Sequence, residues 1–590
     1  MIKTILVICV IISSLIISII HTGTTTEESV KVKQDSSKEK FIFDKEPSEL
    51  VKKKLSEMPL REKIAQMVIS NTIPAEYDES SSSFNKLKKL CTEDKVGGFI
   101  FFKGESWQYA KLSNKLQEMS DVPLLISADF ERGTAMRVND GTLFPNNMAI
   151  GAANNPDLAY QMGLLIAKET RLLGVHQNYA PVCDVNNNPN NPIINVRSFG
   201  EDPTLVSKMS QSLFKGLQDG KVIATVKHFP GHGDTEIDSH NDLPVLNFDM
   251  DRMNSIELVP FKNAVNNNVM SVMIAHLSFP QLDATPHLPS SLSSSIVNDL
   301  LQKQIGFKGL VVTDALNMKG ITKYFSVELV AVLCVKAGID LILMSLDERK
   351  TIDAIEKAVN NGNITEDRIN TSAEKILKAK EWLGLFENKF VNDADVHKTL
   401  PKTEGEVLAQ KIADESITLV KDEYNLLPIK DKSSKVMLVT LSDAGDYQSR
   451  NNLAQSLTAK FPNTTSVDYS GEIPASYLPT LVDMCNKYDY IIVGVYAKVR
   501  FGTGKISMLQ SHIDLIKELA KTNKNFIVVA YGNPYLLKKF SWIPGYICAY
   551  GDSPVSIDAS VKAITGEIKF KGKLPVGITN EFKFGHGIIK

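Results

Sequence analysis

The chain has 590 residues, 43% hydrophobic and 23% charged, which is room for two or more globular domains, each with a core of its own. Its 66 basic and 68 acidic side chains leave a net charge of −2, so it lacks the basic footprint of a nucleic-acid binder or of a protein held on an anionic membrane surface. Six scattered cysteines (Cys9, Cys91, Cys183, Cys334, Cys485, Cys548) form no CxxC pair and indicate neither a structural zinc nor a disulfide framework, and Cys183 and Cys334, in apolar settings, read as buried thiols.

The chain opens with Lys3 and an uncharged apolar run over 5–20. This is the pattern of a secretory signal, slightly short for a spanning helix. Residues 1–21 are therefore read as a signal peptide or an uncleaved N-terminal anchor, with the signal favoured although no A-x-A site follows. Both readings export the protein, to the periplasm, the exterior or the outer side of a membrane. Residues 22–45, rich in Thr, Ser, Glu and Lys, read as a flexible tether.

Beyond the tether, apolar runs with strand character alternate with amphipathic helical segments such as 156–173 and 204–217. The runs are 96–102, 124–129, 178–185, 222–228, 271–276, 309–314 and 338–344. Near-continuous apolar strands separated by helices indicate a parallel sheet covered on both faces, and seven or eight such units suit a TIM-type (β/α)8 barrel, expected over 46–386. Asp129, Asp184, Lys227, His228, His276 and Asp314 stand at or just past the C-terminal ends of these runs, where a barrel opens its active-site mouth. One aspartate at a strand end is ordinarily a helix N-cap; six such polar groups are hard to explain as unrelated caps.

The densest chemistry follows the run at 222–226. Lys227-His228-Phe229-Pro230-Gly231-His232-Gly233-Asp234-Thr235-Glu236-Ile237-Asp238-Ser239-His240 puts three histidines, one lysine and three carboxylates within fourteen residues. Histidine titrates nearest neutral pH, so histidines beside aspartates in a glycine-punctuated loop suggest proton transfer and an enzyme. A zinc site is the competing reading, since His228, His232, Asp234, Asp238 and His240 supply enough ligands. The lysine adjoining the first histidine argues against it.

After residue 386 the pattern changes. Residues 387–404 are polar and read as a linker. The runs 436–440, 490–495, 525–534 and 546–550, with a helical segment at 507–522, predict a smaller, mostly parallel α/β sandwich domain over 405–590.

The motifs carry a family resemblance from about Leu55 to the C-terminus. Met58-Pro59-Leu60-Arg61-Glu62-Lys63-Ile64-Ala65-Gln66-Met67, Asn178-Tyr179-Ala180-Pro181-Val182-Cys183-Asp184-Val185, Arg197-Ser198-Phe199-Gly200, the loop from Lys227 to His240, and Val312-Thr313-Asp314-Ala315-Leu316-Asn317-Met318 resemble, in order, the segments of glycoside hydrolase family 3. The loop is similar to that of the bacterial β-N-acetylglucosaminidase branch, since the family's β-glucosidases share only its Lys-His-Phe start. Gly572-Lys573-Leu574-Pro575-Val576 resembles the closing motif of the family's second domain. One stretch departs from the pattern: many members read Asp-Gln-Glu-Gly-Gly-Arg where this chain reads Asp129-Phe130-Glu131-Arg132-Gly133.

The resemblance implies a retaining glycosidase that releases terminal β-linked N-acetylglucosamine from cell-wall fragments or chitin-type oligosaccharides. Asp314 would be the nucleophile and His240 the proton donor, with Asp238 orienting the imidazole. Asp129, Arg197, Lys227 and His228 would bind the sugar hydroxyls. It implies no metal and no cofactor, and a monomer is expected. A β-glucosidase or β-xylosidase is the alternative within the class, as is a β-N-acetylglucosaminide phosphorylase, because a histidine donor does not repel phosphate. A non-catalytic sugar-binding wall protein is the alternative outside it.

Overall fold

The computed structural model describes residues 40–239, 241–443, 445–498, 508–522 and 524–590. Within it, residues 42–590 form one compact unit. The apolar run at 5–20 and most of the expected tether lie outside the described residues. Among the described residues, no helix is long and apolar enough to cross a membrane.

Eight parallel strands follow one another round the first sheet: β1 (Val68–Thr72), β2 (Gly98–Phe101), β3 (Leu125–Ala128), β4 (Gln177–Asn178), β5 (Ile223–Phe229), β6 (Ser271–Ile274), β7 (Leu310–Thr313) and β8 (Ile342–Leu343). β1 pairs with β8, and a single bridge between Val312 and Leu341 joins β7 to β8, which closes the barrel. All residues of β2, β3, β5, β6 and β7 are buried, so these strands show no in–out alternation and read as continuous apolar runs. β1 is different. Its outer half, Ser70-Asn71-Thr72, is polar and partly exposed, which hides it from a hydrophobicity reading.

β4 corrects another expectation. The run at 178–185 holds only Asn178 of the strand; beyond it the chain stays extended, with one bridge between Val182 and Lys227. Pro181 has no N–H to give a ladder. Helices cover the outside and start where the sequence supplies caps. Asn155 and Asp202 accept from the Leu158 and Leu205 amides, with Pro156 and Pro203 in the first turns, at the helices Pro156–Leu172 and Pro203–Asp219.

The second sheet runs in the order β11 (Thr464–Ser470), β10 (Val436–Ser442), β12 (Tyr490–Tyr496), β13 (Phe526–Ala530), β14 (Gly545–Cys548), β9 (Thr418–Asp422). All its neighbours are parallel except β14 and β9. Both edge strands escape a sequence reading, β11 because it is polar and half solvated. An apolar core lies on each face.

One of those cores takes in Met148, Ala149 and Ala152 from the barrel-side helix Asn147–Ala153, together with Val196. The barrel and the sandwich therefore share buried apolar surface. Backbone bonds join them too: Lys573 N–H to the Ala152 carbonyl at 3.0 Å, and Glu201 N–H to the Pro575 carbonyl at 2.9 Å. Gly200 permits this approach, since a Cβ there would lie 2.4 Å from the Pro575 oxygen and its φ is +154°. The polar stretch 387–404 is pinned to the barrel by Asn114, which bonds both N–H and C=O of Val391. It also contains a short helix, Val396–Thr399, and the start of the helix Lys402–Ser416. The five described cysteines are buried free thiols.

Candidate active site

A cavity of about 290 Å³ opens at the C-terminal ends of the barrel strands, and Asp129, Arg197, Lys227, His228 and Asp314 all line it. Asp129 and Asp314 directly follow β3 and β7, Lys227 and His228 sit on β5, and Arg197 ends a 3-10 turn (Asn195–Arg197) in the long connection after β4. Asp238 is buried in the loop after β5, next to Ser239, which lines the cavity. His240 lies outside the described residues.

One wall is a charge network. Lys227 Nζ stands 2.8 Å from both Asp129 Oδ1 and Glu131 Oε1. Arg197 grips Glu131 with two donors, Nη2 to Oε1 at 2.7 Å and Nε to Oε2 at 3.0 Å, and gives Nη1 to the Ile193 carbonyl. Arg137 Nη2 approaches Asp129 Oδ2 at 3.6 Å. Burial would raise the Glu131 carboxyl, but Arg197 and Lys227 outweigh it and hold the group well below its usual range. Burial likewise disfavours the Lys227 charge, and Asp129 and Glu131 reverse that. The network fixes charged donors at the cavity wall, and such donors make the stronger hydrogen bonds to ligand oxygens.

A second network organises the β5 loop. Asp184, fully buried, accepts from the backbone N–H of His228 (3.2 Å) and of His232 (2.7 Å) and meets His228 Nδ1 at 2.7 Å. His232 Nε2 contacts Ser239 Oγ at 3.0 Å, tying the start of the loop to its middle. Burial, then His228, lowers the His232 imidazole to about 4, so it is neutral at pH 7. Gly233 presses on the chain: a Cβ there would lie 1.8 Å from the Val185 carbonyl. Further along, Asp242 accepts from Lys323 Nζ (2.9 Å) and Tyr324 OH (2.8 Å), fastening the loop to the segment after β7.

Asp314 lines the cavity as an ionised carboxylate. Its N–H donates to the Ile274 carbonyl, and Oδ1 accepts from the Ala315 amide at 2.8 Å. Burial pushes its carboxyl up, but His228, His276, the Ala315 amide and Lys227 outweigh it, and the group titrates at about 2. A rigidly held carboxylate among cationic hydrogen-bond donors can attack an electrophilic carbon or stabilise a positive charge that develops there.

Among the described residues, no three His, Cys, Asp or Glu side chains gather as a metal site requires. The structure adds lining residues that the sequence did not single out: Arg137, Met136, Tyr179 and Asn317. Glu131 and Asp184 were visible in their motifs, but only the fold reveals them as the anchors of Arg197 and His228. No spacing in the sequence points to Arg137.

Residues 59–379 match the model described as Glycosyl hydrolase family 3 N terminal domain, and residues 417–584 the one described as Glycosyl hydrolase family 3 C-terminal domain. The chain is 32% identical over 414 residues to beta-hexosaminidase A of Pseudoalteromonas piscicida, an alignment covering 63% of this chain and 69% of that one. It is 26% identical over 559 residues to a beta-N-acetylglucosaminidase/beta-glucosidase of Cellulomonas fimi, covering 91% and 97% of the two chains. Among solved structures, a glycoside hydrolase family 3 beta-N-acetylglucosaminidase from Paenibacillus sp. str. FPU-7 superposes with a TM-score of 0.78 at 33% identity, over 88% of this chain and 99% of that one.

Proposed function

The chain belongs to glycosyl hydrolase family 3, and from that premise we propose that it is an exported, retaining glycosidase that releases terminal β-linked N-acetylglucosamine. The observation that carries the proposal is Asp314: a half-buried carboxylate, ionised at any working pH, in one cavity with Asp129, Arg197, Lys227 and His228. The sugar specificity draws its support from the Lys227-to-His240 loop and from relatives whose names specify N-acetylglucosamine or hexosamine.

In the proposed mechanism Asp314 attacks the anomeric carbon and forms a glycosyl-enzyme ester, which water then hydrolyses. His240 protonates the leaving oxygen in the first half and takes a proton from water in the second, and Asp238 stabilises its imidazolium. Lys227, Arg197, His228 and Asp129 bind the hydroxyls of the sugar. Glu131 and Asp184 act through these groups as positioning residues, holding Arg197 and His228 in place. The reaction as written needs no metal and no cofactor. We assign the catalytic work to 46–386 and a buttressing role to 405–590, and read residues 1–21 as the export signal or anchor.

Turnover of aryl β-N-acetylglucosaminide and aryl β-glucoside, each with and without inorganic phosphate, tests the assignment. The expected result is hydrolysis of the first at a much higher kcat/KM, unchanged by phosphate. Preference for the glucoside, or a rate that rises with phosphate and yields sugar phosphate, would replace it with one of the alternatives.

A further inference from the structure

The loop after β5 is tied down along its length. His232 bonds Ser239 within it and Asp242 bonds Lys323 and Tyr324 beyond it. Asp234, four residues before Asp238, accepts from Arg252 Nη2 at 2.6 Å. Arg252 stands on the short helix Met250–Ser255, and the N-cap Asp249 accepts from the Arg252 amide at 2.8 Å, which fixes its backbone. The guanidinium carbon lies 3.9 Å from the centre of the Phe248 ring. The same Nη2 that bonds Asp234 also meets Glu257 Oε1 at 3.0 Å.

Glu257 makes this more than a surface pair. Its side chain is only 3% exposed, whereas Arg252 and Asp234 keep 33% and 25%. Burial pushes its carboxyl up, and the Arg252 charge works against that. Glu257 Oε2 has no hydrogen bond among the described residues, so Arg252 supplies the countercharge. The stem of Glu257 packs on the start of the loop: a Cβ on Gly231 would lie 2.8 Å from Glu257 Cβ and 2.9 Å from its Cγ. Glu257 directly precedes the helix Leu258–Asn266, which is seated on β5 by Phe261 against Phe229, ring centres 5.3 Å apart.

A lone exposed ion pair contributes little. Here one guanidinium lies between two carboxylates, one on the loop and one at the head of a packed helix. Without it the two anions face each other, and the one on the loop is the one that can move.

We propose that Arg252 is a positioning residue of the active site: it clamps Asp234 to the Glu257 carboxylate and thereby sets the placement of the Asp238–His240 segment. Its effect on turnover rests on the reading of His240 as proton donor; its hold on the loop does not. Arg252→Met should lower kcat on N,N′-diacetylchitobiose roughly tenfold to a hundredfold, with KM changed far less, as for a misplaced general acid. An activated aryl β-N-acetylglucosaminide, which needs little help from an acid, should stay within about twofold. Arg252→Lys, which keeps the charge, should recover part of the loss. Asp234→Asn should act in the same direction, and the double variant should be no worse than Arg252→Met alone, since both remove one contact.

Hydrogen exchange of the full-length protein over residues 233–242, followed by mass spectrometry, reads the clamp without turnover. That segment should exchange faster in Arg252→Met while the barrel strands stay as protected as in the wild type. If the barrel strands lose protection too, Asp234→Asn carries the same readouts. Wild-type exchange over 233–242, or losses that add in the double variant, overturn the clamp. Faster exchange with equal slowing of both substrates overturns the positioning role when His240→Ala spares the aryl substrate. If His240→Ala also slows both equally, the donor reading fails and the clamp on the loop stands.

Discussion

For single residues, the proposed activity depends on which group carries the proton. Asp314→Asn should keep the fold, checked by circular dichroism, and lose nearly all turnover, because an amide cannot form the covalent ester; near-normal activity removes Asp314 as nucleophile. Its depressed pKa has a kinetic sign. The ionised form is secure above the ordinary carboxylate range and is lost only as pH falls through about 2. The kcat/KM for an activated aryl glycoside, followed down to pH 3, should therefore show no inflection from the nucleophile, and one near pH 4 contradicts the electrostatic picture. His240→Ala should slow natural oligosaccharides by about 10²–10⁴-fold and activated aryl glycosides far less, with the donor's limb of the pH profile lost. Equal slowing of both substrates makes His240 a binding residue. Asp314, Lys227 and His228 were legible in the sequence because their chemistry stands at the ends of apolar runs. The Glu131–Arg197 pair was not, because it joins two barrel loops 66 residues apart that only the closed sheet brings together.

At the scale of elements, the loop after β5 is the part with least tolerance. Its path runs so close to Val185 that Gly233→Ala must move backbone, and overpacking of this kind costs about 1–3 kcal/mol. The variant should melt at a lower temperature and lose kcat on oligosaccharides more than an exposed control such as Val245→Ala, since the displaced chain carries the Asp238–His240 segment. Thermal denaturation and steady-state kinetics check it; a wild-type melting curve and kcat contradict the packing. Six of the eight barrel strands were plain in the sequence because they are buried on both faces. β1, β9 and β11 were not, for a physical reason. In β1 and β11 solvent takes the place of packing on polar positions that a core strand would fill with Val or Ile, whereas β9 is a buried edge strand whose Thr418, Lys421 and Asp422 leave only two apolar residues to read. β4 shrank because Pro181 cannot join a ladder.

At the scale of the whole molecule, barrel and sandwich unfold together in this account. Met148, Ala149, Ala152 and Val196 belong to a core that is otherwise made of the second domain, and Gly200 meets Pro575 at backbone distance. Calorimetry should give one transition, and two well-separated ones contradict the shared core. The two-domain order was readable from the change in pattern after residue 386, whereas the shared core was not, because its barrel-side residues sit on a short helix buried nearly all round, Asn147–Ala153, and on the 3-10 turn that holds Val196. Activity should survive dialysis against EDTA; loss restored by zinc would turn the loop histidines into ligands. The central claim is that the intact enzyme retains configuration while releasing N-acetylglucosamine, and it is tested most directly by following the first sugar released from an aryl β-N-acetylglucosaminide by proton NMR. With retention, the β-anomer of N-acetylglucosamine appears first and only later mutarotates. Initial release of the α-anomer, or no turnover of this substrate beside a β-glucoside that is cleaved, contradicts it.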